Sequence, residues 1–285
     1  MDGALITIQI LNGLQLGVLL FLLAAGLTLV FGIMDLVNLS HGSLVMVGAY
    51  LSTTLIEWTG SFILGILLAL PSTFLVGVVV EIVVLRTLYE RDHLDQVLAT
   101  FGLILFFNEL IRIVWGPASL YSGLPESISG HVEILPGVPY PAFRLLIILV
   151  GLLVALLIYF IVARTKLGML IRAGASNREM AGALGVNIRM LFTLVFGLGA
   201  SFAGLAGMMR GPLTSVEPGM GEPMLILAFV VIIIGGIGSI RGAFIASVIV
   251  GLVDTLGRVF LPMLLRSLVA ESTACLLYTS DAADE

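Results

Sequence analysis

RTKLGMLIRAGASNREMAGALGVNIRM, residues 164–190, is a polar interruption of 27 residues between two strongly apolar blocks, and it is the only long basic segment of the chain. A short helix is written into it with both ends marked. Ser176 stands where an N-cap belongs and Glu179 follows three residues later. That is the capping-box spacing, in which the hydroxyl oxygen accepts from an amide of the first turn and the carboxylate accepts from the cap's own amide. Gly185 closes the helix, because glycine adopts the left-handed conformation that ends a helix without a Cβ penalty. Met180, Ala181 and Leu184 share a small apolar face, with Asn177 and Arg178 pointing elsewhere. The expectation is a short amphipathic helix at a membrane surface, and the plainer alternative is a solvated loop with one helical turn.

The flanking blocks set the fold class. With 285 residues, 59% hydrophobic and 11% charged, and a mean hydropathy of +1.18, the chain is too apolar for a soluble domain, where about a quarter of residues carry charge. The expectation is all-α, a polytopic transmembrane helical bundle. The formal net charge of −5, from 13 basic and 18 acidic residues, matters less than where the basic residues sit, and nucleic acid is not an expected partner. The first residues lack the basic leader of a cleavable signal, so the first apolar stretch reads as a retained span. The end of the chain, CLLYTSDAADE at 275–285, breaks the pattern and resembles the translation of a transposon adaptor used in sequencing libraries. It is therefore set apart from a membrane domain at 1–274. Without its three acidic residues the acidic count falls from 18 to 15 and the balance is −2. Its cysteine, Cys275, is the only one in the chain, so neither a disulfide framework nor a thiolate metal site is expected, and no cofactor.

A membrane span needs about 20 apolar residues. Reading along the chain gives about eight: 10–33, 43–56, 62–85, 97–115, 144–163, 191–209, 224–238 and 242–261. Gly13 and Gly17 in the first permit close helix approach. The second is short unless the polar punctuation DLVNLSHG at 35–42 is itself membrane-embedded, and Pro71 suggests a kink in the third. The loop 117–142 is rich in Gly and Pro, holds Glu126 and Glu133, and has no Lys or Arg. Basic residues collect at 86–91 and at 164–189, two spans apart and hence on one side, which the positive-inside rule makes cytoplasmic. The N-terminus and the 117–142 loop are then outside. In the sixth span Gly199, Ala203 and Gly207 repeat every four residues, a packing surface that either serves this chain alone or borders a translocation path or subunit contact.

Motifs for chemistry are sparse. There is no phosphate loop of the GxxxxGK(S/T) type, no HExxH and no nucleophile elbow. His41, His93 and His131 fall in three loops and read as solvated or interfacial. Gly235-Gly236-Ile237-Gly238 follows an apolar run rather than a strand and reads as a tight membrane-edge turn. Glu109 with Arg112 and Asp254 with Arg258 have helix-pair spacing, whereas Glu81 has no local partner and reads as reaching the interface.

Four stretches carry a resemblance: GIMDLVNLSHGSLVMVGAYLS (32–52), QVLATFGLILFFNELIRIVWGP (96–117), RAGASNREMAGALGVN (172–187) and GGIGSIRGAFIASVIVGLVD (235–254). In this order, over nearly all of residues 5–260, they resemble the inner-membrane permease subunits of branched-chain amino-acid ABC importers. The resemblance implies that the 164–190 loop holds a coupling helix that docks in an ATPase subunit, with Arg172, Ser176, Arg178, Glu179, Ala181, Leu184 and Gly185 as coupling residues. It also implies two ATP-binding cassette ATPase subunits, a second homologous permease, a periplasmic substrate-binding protein and a multi-pass place in the bacterial inner membrane. ATP hydrolysis would belong to the partners, so the chain itself is not expected to be an enzyme. The family continues with a further apolar span and a basic tail, so the chain is expected to be truncated before that span. Urea and short-chain amide importers share this permease type and stay open as alternatives. A secondary transporter would need no ATPase and would favour midplane charges or broken helices in paired repeats. An intramembrane enzyme would need a nucleophile, base or metal set.

Overall fold

The structure, a computed structural model, describes residues 3–89, 91–125, 128–135 and 138–281. Ten α-helices are described: α1 (Gly3–Met34), α2 (His41–Thr59), α3 (Phe62–Val83), α4 (His93–Trp115), α5 (Ala142–Arg164), α6 (Lys166–Ser176), α7 (Arg178–Ala183), α8 (Ile188–Arg210), α9 (Glu222–Gly235) and α10 (Ile240–Asp281). The fold is helical, as expected, with one addition. Within the loop at 117–142 the chain forms an antiparallel hairpin of β1 (His131–Leu135) and β2 (Val138–Pro141). Glu126 of that loop lies outside the described residues.

Among the described residues six helices are long and apolar enough to cross a membrane: α1, α3, α4, α5, α8 and the Ile240–Pro262 part of α10. The count of eight is not reached by this measure. The 14 residues of α9 rise only about 21 Å, short of a core about 30 Å thick. The 19 residues of α2 include His41, Ser43, Ser52, Thr53, Thr54 and Glu57, which dilute its apolar character. α10 continues past Pro262 through Cys275 to Asp281 as one helix.

α1 and α8 form the centre of the bundle, buried along most of their length, while most residues of α3, α4, α5 and the Ile240–Pro262 part of α10 are not buried. Small residues set the contacts. A Cβ on Gly17 would lie 2.8 Å from the Ser247 carbonyl oxygen of α10, and one on Gly26 would lie 2.6 Å from that of Gly199 in α8. A Cβ on Gly207 would lie 1.9 Å from the Val45 carbonyl oxygen, and one on Gly48 would lie 2.4 Å from the Gly204 Cα, so α8 crosses α2 backbone to backbone. Gly199, Ala203 and Gly207 are thus packing positions inside this chain, with Ala203 fully buried.

The segment between α1 and α2 departs from a surface loop. Leu36, Asn38, Ser40 and His41 are buried, and a Cβ on Gly26 would lie 2.8 Å from His41 Nε2. Gly26 precedes Met34, the end of α1, by eight residues (34 − 26), or about 12 Å of helix. The chain therefore folds back into the bundle before α2 begins. From the opposite end, residues 211–221 also turn inward: the Gly219 amide donates to Met46 Sδ at 3.2 Å, and a Cβ on Gly221 would lie 1.9 Å from the Gly42 carbonyl oxygen. His41 is accordingly not a solvated or interfacial histidine but a core residue. His93 and His131 are exposed, as expected.

Candidate functional site

One end of the bundle carries both basic segments. The 3₁₀ turn Leu85–Leu88 follows α3, and the segment holding α6 and α7 runs between α5 and α8. Thr165 opens α6 as a true cap, its Oγ1 accepting from the Gly168 amide at 3.2 Å. Gly168, Ile171 and Gly174 recur every three residues and form the buried stripe of α6, which rests on the end of α5 and on Ile33 and Leu191. Arg172 is exposed, and its Nη1 donates to the Val162 carbonyl.

The expected N-cap is displaced by one residue. Ser176 is the last residue of α6, and Asn177, extended at φ −157°, caps α7 by accepting the Met180 amide on Oδ1 at 2.8 Å. Asn caps a helix as well as Ser does. Because α6 runs through Ser176, the backbone breaks only at Asn177, which leaves Glu179 in the first turn as an acidic residue beside the positive end of the helix rather than as a capping-box partner. The other end matches the expectation. Gly185 has φ +89°, its amide donates to the Gly182 carbonyl at 3.0 Å, and the Val186 amide donates to the Ala181 carbonyl at 3.1 Å, the two bonds of a Schellman ending. The anticipated apolar face divides. Ala181 is buried against the bundle, while Met180 and Leu184 are 59% and 79% exposed and point away from it beside the exposed Arg178. Between this segment and the ends of α1 and α10 lies a cleft of about 740 Å³ lined by Thr28, Asp35, Arg172, Asn177, Arg178 and Glu179 among others.

Glu81 is not alone at the interface. Its carboxylate is fully buried, pairs with Arg86 Nη2 at 3.0 Å, and accepts from Tyr89 Oη and Thr193 Oγ1, each at 2.7 Å. Arg86 Nη2 also donates to Thr193 Oγ1 at 2.9 Å. This cluster ties the end of α3 to the first turns of α8, the helix that follows α7 directly, and brings the two basic segments to one end of the bundle. Burial, reinforced by the bond to Glu81, raises the Tyr89 pKa, and the same carboxylate raises that of Arg86. Sequence spacing hid the cluster because Thr193 lies 112 residues from Glu81. Glu109 with Arg112 at 2.7 Å and Asp254 with Arg258 at 2.9 Å form the i,i+3 and i,i+4 pairs their spacing implied.

At the level of the Gly26–Gly199 crossing sits a buried polar core. Asn38 Oδ1 accepts from the Ser40 amide at 3.0 Å and from its hydroxyl at 2.6 Å, a local turn that stabilises the folded-back segment. Among the described residues neither ring nitrogen of His41 has a hydrogen-bond partner, nor do Thr28 Oγ1 and Tyr50 Oη. Unpaired polar groups this deep are costly in a membrane protein. The signal for His41 was the run DLVNLSHG itself, polar residues where a span should have been apolar; Thr28 and Tyr50 lie outside that run and had no such signal. Among the described residues no group of three His, Cys, Asp or Glu is arranged to hold a metal ion.

Comparison with known proteins gives one consistent result. The family model "Branched-chain amino acid transport system / permease component" matches residues 9–278. The chain is 30% identical over 263 residues to the high-affinity branched-chain amino acid transport system permease protein BraD of Pseudomonas aeruginosa, covering 87% of this chain and 85% of the relative. It is 29% identical over 268 residues to the corresponding protein LivH of Escherichia coli, covering 89% and 86%. The ribose import permease protein RbsC of Escherichia coli is 25% identical over 244 residues, covering 82% and 72%. No solved structure matches the chain.

Proposed function

The chain belongs to the family of branched-chain amino acid permease components, and from that premise we propose that it is the transmembrane permease subunit of an ATP-driven importer of branched-chain amino acids in the bacterial inner membrane. The observation that carries this reading is the family match over 9–278 combined with α7, a helix capped at both ends and anchored to the bundle by Ala181, with Met180 and Leu184 facing outward. An exposed apolar pair on a rigid surface helix suits a groove on another protein.

In this proposal the basic end is cytoplasmic, and α7 is the coupling helix seated on an ATPase partner. Arg172, Ser176, Arg178, Glu179, Ala181, Leu184 and Gly185 form or flank that contact. Two ATP-binding cassette subunits hydrolyse the ATP, a second homologous permease completes the channel, and a periplasmic binding protein delivers the solute. ATP binding by the partners biases the permease between arrangements open to opposite sides. The cluster of Glu81, Arg86 and Thr193 makes α3 move with α8 when α7 is pushed. The finer membrane count is eight embedded helices, with α2 and α9 entering as partial spans behind the folded-back segments. Residues 275–285 are not part of the working domain.

The test is uptake. Vesicles holding the chain with a pair of ATP-binding cassette ATPases, a second homologous permease and a substrate-binding protein should accumulate leucine, isoleucine or valine in an ATP-dependent way. Accumulation of urea or a short-chain amide in their place would move the substrate to that alternative, and uptake that needs no ATPase would overturn the ABC reading.

A further inference from the structure

The end of the bundle opposite α7 holds a second cleft, of about 450 Å³, lined by α1, α5, α8, α9 and α10. Its polar groups are Asn12, Gln15, Arg144, Arg210, Thr214, Asp254 and Arg258. Their pairing is uneven. Arg258 Nε donates to Asp254 Oδ2 at 2.9 Å, which leaves Oδ1 of that carboxylate without a hydrogen bond among the described residues. Asn12 Oδ1 accepts from Tyr140 Oη at 3.0 Å and from Arg144 Nη1 at 2.5 Å, so most of the Arg144 donors are unused. Arg210 makes no side-chain hydrogen bond or salt bridge among the described residues, although Glu217 is near enough to act on it electrostatically. Gln15 is 93% buried, faces this cleft and has no hydrogen-bond partner among the described residues. Its amide atoms are open to the cleft rather than sealed in the core, so a polar ligand there can reach them.

The cleft lies on the same seam as the basic-end cleft, since α1, α5 and α10 line both. On α1 the two approach each other at Leu19 and Thr28, nine residues apart (28 − 19), or about 13 Å. What closes the gap is side-chain packing rather than a salt bridge. Phe21, within that gap, meets Phe244 edge to face with centroids 5.1 Å apart.

We propose that the cleft at the hairpin end is a binding site for a zwitterionic amino acid, with Arg144 and Arg210 taking the carboxylate, Asp254 Oδ1 and the Gln15 carbonyl taking the ammonium, and Leu16, Leu19 and Met224 receiving the aliphatic side chain. The chemistry fits group by group. Guanidinium forks are matched to carboxylates, and a half-paired Asp beside them supplies the opposite charge a zwitterion needs at the other end. A cleft of this volume, apolar with a few converging polar groups, suits a small ligand. The inference rests on the function proposed above and adds the residues that hold the solute in the permease after the binding protein releases it.

The test uses the assembled transporter in nanodiscs without binding protein, and reads retention of tritiated leucine. On wild type, unlabelled leucine should compete, whereas leucine methyl ester, which lacks the carboxylate, and 4-methylpentanoate, which lacks the ammonium, should not. Asp254→Asn and Arg210→Gln should each weaken retention about tenfold or more, the loss of one hydrogen bond to a charged group. The affinity of the binding protein for the transporter should stay at its wild-type value in both variants. Loss of that affinity alongside leucine retention would make the arginines a docking patch and overturn the site. Competition by both analogues equal to that by leucine, or unchanged retention in both variants, would overturn it as well. If wild-type vesicles take up no branched-chain amino acid, the function proposed above fails and this inference falls with it. If they do, and the variants retain leucine as wild type does, only the site assignment fails.

Discussion

Replacing Asn177 by alanine removes the side-chain oxygen that accepts the Met180 amide at 2.8 Å, and with it the start of α7. The effect is large for the element because α7 has six residues and only Ala181 buried, so it has almost no stability of its own beyond its caps. An N-cap is worth about 1 kcal/mol, which at room temperature raises the opened fraction of the helix about fivefold. Ser176→Ala provides the internal contrast. Its hydroxyl holds no cap bond and it ends α6, so the change should cost no more than a few tenths of a kcal/mol. Gly185→Ala acts at the other end, where φ +89° costs an L-residue about 1–2 kcal/mol. In the assembled transporter, amide exchange across residues 180–184 should quicken about fivefold in Asn177→Ala, somewhat more in Gly185→Ala and hardly at all in Ser176→Ala. Solute moved per ATP hydrolysed should fall in the same order. Equal exchange in Ser176→Ala and Asn177→Ala would refute the cap geometry. Fast exchange in Asn177→Ala with wild-type coupling would refute the role given to α7.

Other outcomes follow from the same structure. Glu81→Gln should lower stability by about 1–3 kcal/mol, less than for a fully buried ion pair because Arg86 keeps 35% of its side chain in solvent; an unchanged melting temperature in detergent would show that the cluster with Tyr89 and Thr193 holds nothing. Gly207→Val should cost about 3 kcal/mol or more and depress folded yield, since its Cβ has the Val45 carbonyl oxygen 1.9 Å away, whereas Gly257→Ala, with open space around it, should be harmless; equal yields would contradict the α2–α8 crossing. With Cys275→Ser as background, a cysteine at Tyr121 should react with an impermeant thiol reagent in intact cells and one at Leu184 should not, both positions being exposed; the reverse pattern would invert the orientation.

The sequence by itself determined the features that depend on local periodicity and composition. Apolar runs longer than a membrane is thick have no soluble alternative, so the helical membrane class, the positions of the long helices and the basic loop between α5 and α8 were legible directly. Gly185 was legible as a helix ending because its conformation is set by the residue itself. The cap at the other end was read one residue early, because Ser and Asn are equivalent caps and only the extent of α6 decides which of Ser176 and Asn177 lies at the break. What the tertiary structure alone decided concerns residues far apart in the chain. Glu81 finds Thr193 across 112 positions, and His41 fits in the core because Gly26 has no Cβ, which would lie 2.8 Å from His41 Nε2. The two clefts share a seam only because α1 packs against α5 and α10 at the same time. In lipid the hydrophobic pattern is satisfied all the way round a helix, so it states that a segment is embedded and not which neighbour it meets; backbone contact at small residues makes that choice, and it exists only once the helices are assembled.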